Sequence, residues 1–193
     1  MASSESHPSN PATALILVDV TNSFFLEGMA NYYPAAGDVI EPLRRLLASA
    51  RASQRIVVHA IEQHYPGFDD FEWRKLPRHH LIGDPDSAFF SDFGPLGPRE
   101  IVVAKRRFSA FFATDLALFL HEQRIDRVVI AGVKTNLCIR ATAQDAFANG
   151  FDVVVPREAT NSNRPHLAAA SLEDIERYIG AVAPLDVALG MLA

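Results

Sequence analysis

The stretch VVIAGVKTNLC (Val128 to Cys138), continuing as IRATAQDAFANG (139–150) and FDVVV (151–155), decides the fold class. Val128 to Ala131 is an apolar, β-branched run of strand length, too short for a helix of ordinary size. A helix is expected from about Leu137 to Asn149, because Gly150 supplies the left-handed residue at which helices stop. Phe151 to Val155 returns to strand. A strand, a helix and a strand in this order make a parallel crossover, since the helix carries the chain back to the end from which the first strand set out.

The same alternation extends outward from this unit. Upstream, Ala14 to Val18 (ALILV) reads as a buried strand. Asp38 then caps a helix with apolar residues at Val39, Leu43, Leu46 and Leu47, and Ile56-Val57-Val58 is a second strand. Ile101-Val102-Val103-Ala104 follows as a third, with a helix capped by Thr114 running to about Gln123. Downstream, Ser162 or Asn163 with Pro165 opens a helix to about Gly180, and PLDVALGMLA closes the chain as a short helix. Strands alternating with helices of this length predict a three-layer α/β/α fold around a mainly parallel sheet. Residues 61–98 break the pattern: five prolines, four glycines and many aromatics suit a long excursion over a pocket.

With 193 residues, 49% of them hydrophobic, one domain over 12–193 suffices, preceded by a flexible polar segment 1–11. The formal charge is −5 and the 18 Lys and Arg are scattered, so no basic stripe fits nucleic acid. The apolar runs are short and MASSESHPSN lacks a basic start followed by an apolar run, which predicts no membrane span, no signal peptide and a cytoplasmic protein. A single cysteine fits a reducing compartment, where a lone thiol is either core filler or chemistry.

Open parallel sheets bind ligands beyond the carboxyl ends of their strands. Three polar residues fall there: Asp19 after ALILV, Lys105 after IVVA, and Cys138 past VVIAG at the start of a helix. A helix N-terminus and a nearby ammonium both favour a thiolate over a thiol, while a carboxylate can accept the thiol proton and deliver it to a leaving nitrogen. The turn Gly132 to Leu137 can aim backbone N–H groups at an oxyanion, with the Cys138 N–H as leading donor. Each residue also has a plainer reading. A cysteine between Leu137 and Ile139 is usually core, an aspartate ending a strand is usually a cap, and a lysine there is usually a solvated charge. Spacing alone therefore leaves the reaction open.

Three motifs, LILVDVTNSF around Asp19, VVAKRRFSAFFATDL around Lys105 and VVIAGVKTNLCIRATAQDAFANGFDVVV around Cys138, make the chain resemble, nearly end to end, the isochorismatase-like cysteine hydrolases. That superfamily includes nicotinamidases, N-carbamoylsarcosine amidase, ureidoacrylate amidohydrolase and biuret hydrolase. The resemblance implies a six-stranded parallel sheet in the order 3-2-1-4-5-6 and carries a catalytic Asp-Lys-Cys triad onto Asp19, Lys105 and Cys138. It places a cis peptide at Val133-Lys134, turning the Lys134 N–H toward an oxyanion, and an aromatic pocket wall at Phe24. It implies a homodimer or homotetramer acting on a small-molecule substrate, with Trp73 and Phe111 as further substrate-contacting residues and Trp73 able to reach a neighbour's site. The activity implied is cysteine-dependent cleavage of a small amide, ureido or carbamoyl compound through a thioester. Vinyl ether hydrolysis of the isochorismatase type, a metal-dependent nicotinamidase, and a binding protein on an inactivated scaffold are the alternatives.

Two departures stand out. Thr21 occupies a position where the family often has glutamine, and Lys134 one where a small or hydroxyl residue is frequent. Nicotinamidases hold a metal after the second strand, where this chain offers Glu62, His64 and Asp70. One histidine with two acids is an incomplete zinc set, and His59, His79, His80 and His166 show no ligand spacing, so no metal and no cofactor are expected.

Overall fold

The computed structural model describes residues 11–193, so the segment 1–11 expected to be flexible lies outside it except for Pro11. Seven strands form one sheet: β1 (Thr13–Val18), β2 (Val57–Glu62), β3 (Glu100–Lys105), β4 (Arg127–Val133), β5 (Asp152–Pro156), the two-residue β6 (Thr160–Asn161) and β7 (Ala181–Ala183). Their order is β3-β2-β1-β4-β5-β7, every pairing is parallel, and β6 extends the β4 edge at Gly132 and Val133. The expected order therefore holds through its first five strands. β7, which takes the sixth place, was not visible in the sequence, because Ala181-Val182-Ala183 follows directly on the end of a helix.

The central strand explains the layers. Every residue of β1 is buried, with Leu15 and Leu17 in one core and Ala14, Ile16 and Val18 in the other. Successive side chains of a strand point to opposite faces, so a wholly apolar strand needs cover on both sides. One side is covered by α2 (Ile40–Ala52) through Leu43, Leu46 and Leu47, and by α6 (Leu185–Leu192) through Leu185, Ala188 and Leu192. The other is covered by α3 (Leu116–Glu122), α4 (Arg140–Ala148) and α5 (Pro165–Tyr178) through Leu116, Leu120, Ala143, Ala146 and Ile175. Each large aliphatic side chain buried this way contributes about 1.5–3 kcal/mol. The four-residue helix α1, Asn22–Phe25, precedes these between β1 and α2.

Helix starts differ from expectation. Asp38 does not cap α2: Pro34 opens a 3-10 turn, Pro34–Val39, that contains Asp38 and runs straight into the helix. Thr114 does bind the start of α3, its hydroxyl accepting from the Leu116 N–H while donating to the Ala110 carbonyl. Between β4 and α4 the chain takes a π-helical turn, Thr135–Ile139, which holds Cys138.

Candidate active site

Asp19, Lys105 and Cys138 come together at the carboxyl edge of the sheet. Asp19 leaves β1 in a left-handed conformation (φ 54°), and its N–H donates to the Ala60 carbonyl while its Oδ1 accepts from the Glu62 N–H at 2.8 Å. The carboxylate is thereby fixed across the end of β2. Gly132, at φ +123°, makes this approach possible from the other side: a Cβ there would fall 2.1 Å from the Val18 carbonyl oxygen. Lys105 ends β3 fully buried, with Nζ 2.9 Å from Asp19 Oδ2, 3.3 Å from Glu62 Oε2 and 3.6 Å from Cys138 Sγ. Cys138 keeps 4% of its surface exposed.

The electrostatics follow from crowding two carboxylates and a thiol around one ammonium. Burial pushes the Cys138 thiol well up; Lys105 opposes, but Asp19 and Glu62 reinforce the rise. Burial and the two carboxylates thus oppose the thiolate that the helix start and the lysine by themselves favour. Burial alone would lower the Lys105 ammonium, but Asp19, Cys138 and Glu62 together raise it above its ordinary value and keep it charged.

The Val133-Lys134 peptide is cis, as the resemblance implied. Phe24 is buried, with its ring 5.3 Å from that of His80 and 5.5 Å from the Lys134 Nζ. Trp73 lies against His64 and Arg78 instead of any of the three central residues. Phe111 is drawn into the core, its ring 5.8 Å from that of Phe151, the residue that enters β5 at the far edge of the sheet, so this contact does not put it on the pocket wall. Thr21 is buried and bridges to Phe89.

The excursion after β2 returns to this edge and builds a second cluster. Glu62 Oε1 lies 3.0 Å from His64 Nε2 and 2.6 Å from His79 Nε2, and one ligand atom each from Glu62, His64, Glu72 and His79 lie within 4.8 Å of one another. All four residues are buried, and Glu72 Oε2 has no hydrogen-bond partner. His79, fifteen residues beyond His64, supplies the imidazole that local spacing did not offer. Asp70 is not among the four: its oxygens take Arg106, Arg107 and the Glu72 N–H, and it holds the other face of His64 at 3.0 Å. Two imidazoles and two carboxylates, with one imidazole oriented by an outer carboxylate, have the chemistry of a divalent transition-metal site. The residues present fit such an ion.

Comparison with known proteins places the chain among hydrolases. The isochorismatase domain model matches residues 13–186. Maleamate amidohydrolase of Pseudomonas putida is 38% identical over 174 residues, covering 88% of this chain and 81% of the relative. N-carbamoylsarcosine amidase of an Arthrobacter species is 30% identical over 180 residues, covering 90% and 68%. The crystal structure of an isochorismatase-like hydrolase from Alkaliphilus metalliredigens superposes with a TM-score of 0.86 at 31% identity, covering 94% of this chain and 99% of that one. With the domain model spanning most of the chain and relatives at this identity, the chain belongs to the isochorismatase family of hydrolases, among amidohydrolase relatives.

Proposed function

We propose that the protein hydrolyses the C–N bond of a small amide, ureido or carbamoyl compound, with Cys138 as nucleophile. The observation that carries this reading is the convergence on one ammonium of the Cys138 sulfur, at 3.6 Å, and the Asp19 carboxylate, at 2.9 Å. Asp19 takes the thiol proton as sulfur bonds to the carbonyl carbon, and the resulting oxyanion accepts from the Cys138 and Lys134 N–H groups. Asp19 passes the proton to nitrogen, the C–N bond breaks, and ammonia or an amine leaves a thioester. Water, deprotonated by Asp19, attacks that carbon; the C–S bond breaks and the sulfur regains its proton. Lys105 stays charged and offsets the negative charge moving between sulfur, oxygen and carboxylate. The test is ammonia release from nicotinamide, biuret, N-carbamoyl amino acids and simple amides. Cys138→Ala should lower the active reaction on the order of 10⁴-fold or more, and equal turnover by both proteins would remove the cysteine from the mechanism.

The acid–imidazole cluster favours a second reading, a metal-assisted amidase. Glu62, His64 and His79, with Glu72 beside them, would hold a divalent ion, which when bound polarises a substrate oxygen or nitrogen as a Lewis acid. Elemental analysis of purified protein and titration of His79→Ala with zinc test it: near-stoichiometric metal lost in the variant supports the reading, and equal metal in both proteins defeats it. Exposed Tyr65, Phe68 and Phe71 on the excursion support the homodimer or homotetramer expected from the family, which light scattering in solution reads directly. No helix of the described residues is long and apolar enough to cross a membrane, which is consistent with the proposed cytoplasmic location.

A further inference from the structure

Lys134 brings a second ammonium to the same strand end, and it is bound quite differently from Lys105. Its Nζ lies 5.5 Å from the ring centre of Phe24 and 5.3 Å from that of Tyr33. Both rings are held in place. Phe24 packs on His80, and the Tyr33 hydroxyl donates to Asn161 Oδ1 at 2.7 Å, next to where Asn161 pairs with Val133. Among the described residues Lys134 makes no ion pair and its ammonium no hydrogen bond. A second cation, Arg164, acts on it unfavourably, and the Arg164 guanidinium likewise has no carboxylate partner among the described residues.

The site is therefore divided. On one side Asp19 and Glu62 share Lys105; on the other, the Lys134 ammonium has two aromatic rings and no acid paired with it among the described residues. Half-burying an ammonium without a counterion is unfavourable, and two aromatic faces offset only part of the cost. Burial lowers the Lys134 ammonium's affinity for its proton and Arg164 lowers it further, as expected of a cation still short of an anion. A carboxylate on a ligand would complete the pairing, adding a charge-assisted hydrogen bond at a distance from Cys138 set by the lysine side chain.

We infer that Lys134, cradled by Phe24 and Tyr33, binds a carboxylate at the end of the substrate remote from the scissile bond, so that the preferred substrates are amides that also carry a carboxylate. The inference rests on the amidase reading above and narrows its substrate class. A neutral amide of the same length leaves the ammonium unpaired and is discriminated against.

The test compares succinamate with succinamide, which share one amide and differ only in a carboxylate against a second amide at the far end. Wild-type protein should release ammonia from succinamate with a kcat/KM at least about tenfold higher, the scale of one charge-assisted hydrogen bond. Lys134→Met should bring that ratio close to one, and Lys134→Arg should restore part of it. Using the ratio removes any general effect on folding or on the sulfur. No preference in the wild type, or a ratio unchanged in Lys134→Met, overturns the inference, since a lysine acting on Cys138 alone would slow both amides equally. If neither amide is hydrolysed by any form, the amidase reading fails first. Calorimetric titration with succinate then still decides the anion site: binding weakened about tenfold or more in Lys134→Met supports it, and equal or undetectable binding to wild type and variant overturns it.

Discussion

β3 begins with a glutamate and ends with a lysine, both set among charged partners, and the two ends are built on opposite rules. At the amino end, Glu100 receives Arg51 on both oxygens at 2.9 Å and His59 at 2.8 Å. Every acceptor has a donor and the charges balance. At the carboxyl end, Lys105 serves two carboxylates and a thiol at once, and the thiol is pushed up as a result. A balanced network holds two strands together and does little else, whereas an overcrowded one keeps a proton poised to move. Groups pushed from their ordinary protonation by burial and by specific neighbours are those suited to acid–base chemistry.

Replacing each end breaks this comparison in a different way. Lys105→Met strands Asp19 and Glu62 in a buried site without their counterion. Removing one member of such a pair costs about 3–5 kcal/mol of stability, and the same change should abolish ammonia release to within on the order of 10⁻³ of wild type. Denaturant unfolding and a coupled ammonia assay read the two effects. Part of the stability loss should return in acid, where Glu62, no longer held down by the lysine, takes up a proton. A variant as stable and active as wild type would place the lysine outside the chemistry.

Glu100→Gln is the matched change at the other end, and here stability and activity should separate. The neutral amide keeps the shape but cannot pair with Arg51, so the loss should be about 2 kcal/mol, the worth of hydrogen bonds to a charged group less the solvation available to a quarter-exposed arginine. Turnover per folded molecule should stay at the wild-type level. A fall in kcat at constant folded fraction would mean that the two ends of β3 are coupled.

The sheet and its reactive edge were legible because both are written locally. Apolar runs of three to five residues mark strands and the residues beyond each run mark its carboxyl end, so Asp19, Lys105 and, at the following helix start, Cys138 could be picked out before any coordinates. What the sequence does not mark is a partner supplied by an irregular segment. His79 reaches Glu62 from seventeen positions away through a loop with no period to read, and Tyr33 reaches Asn161 across 128 positions. The Glu100 network is hidden for a related reason: it joins β3 to a histidine in mid-strand and to an arginine on α2, and no spacing rule relates the three. β7 escaped because three small residues after a helix end carry too little pattern to separate strand from loop. The charge of Lys134 was visible as a departure from the family, but its aromatic cradle was not, since Phe24 and Tyr33 meet it only in space.

The smallest expected effect is also the sharpest test of the balanced end. Burial alone would raise the Glu100 carboxyl, but the bonds from Arg51 and His59 outweigh it and hold it at about 2. An unfolded glutamate titrates near about 4.3. A carboxyl whose folded value is the lower contributes stability that is fully present above about 4.3 and is lost as the pH falls toward about 2, because the unfolded chain takes up the proton first. Between about pH 5 and pH 3 this one group should remove about 1.6 kcal/mol from the wild type and nothing from Glu100→Gln, so the two stability curves should converge in acid. Curves that stay parallel over that range would mean that Arg51 and His59 hold Glu100 no more tightly than water does.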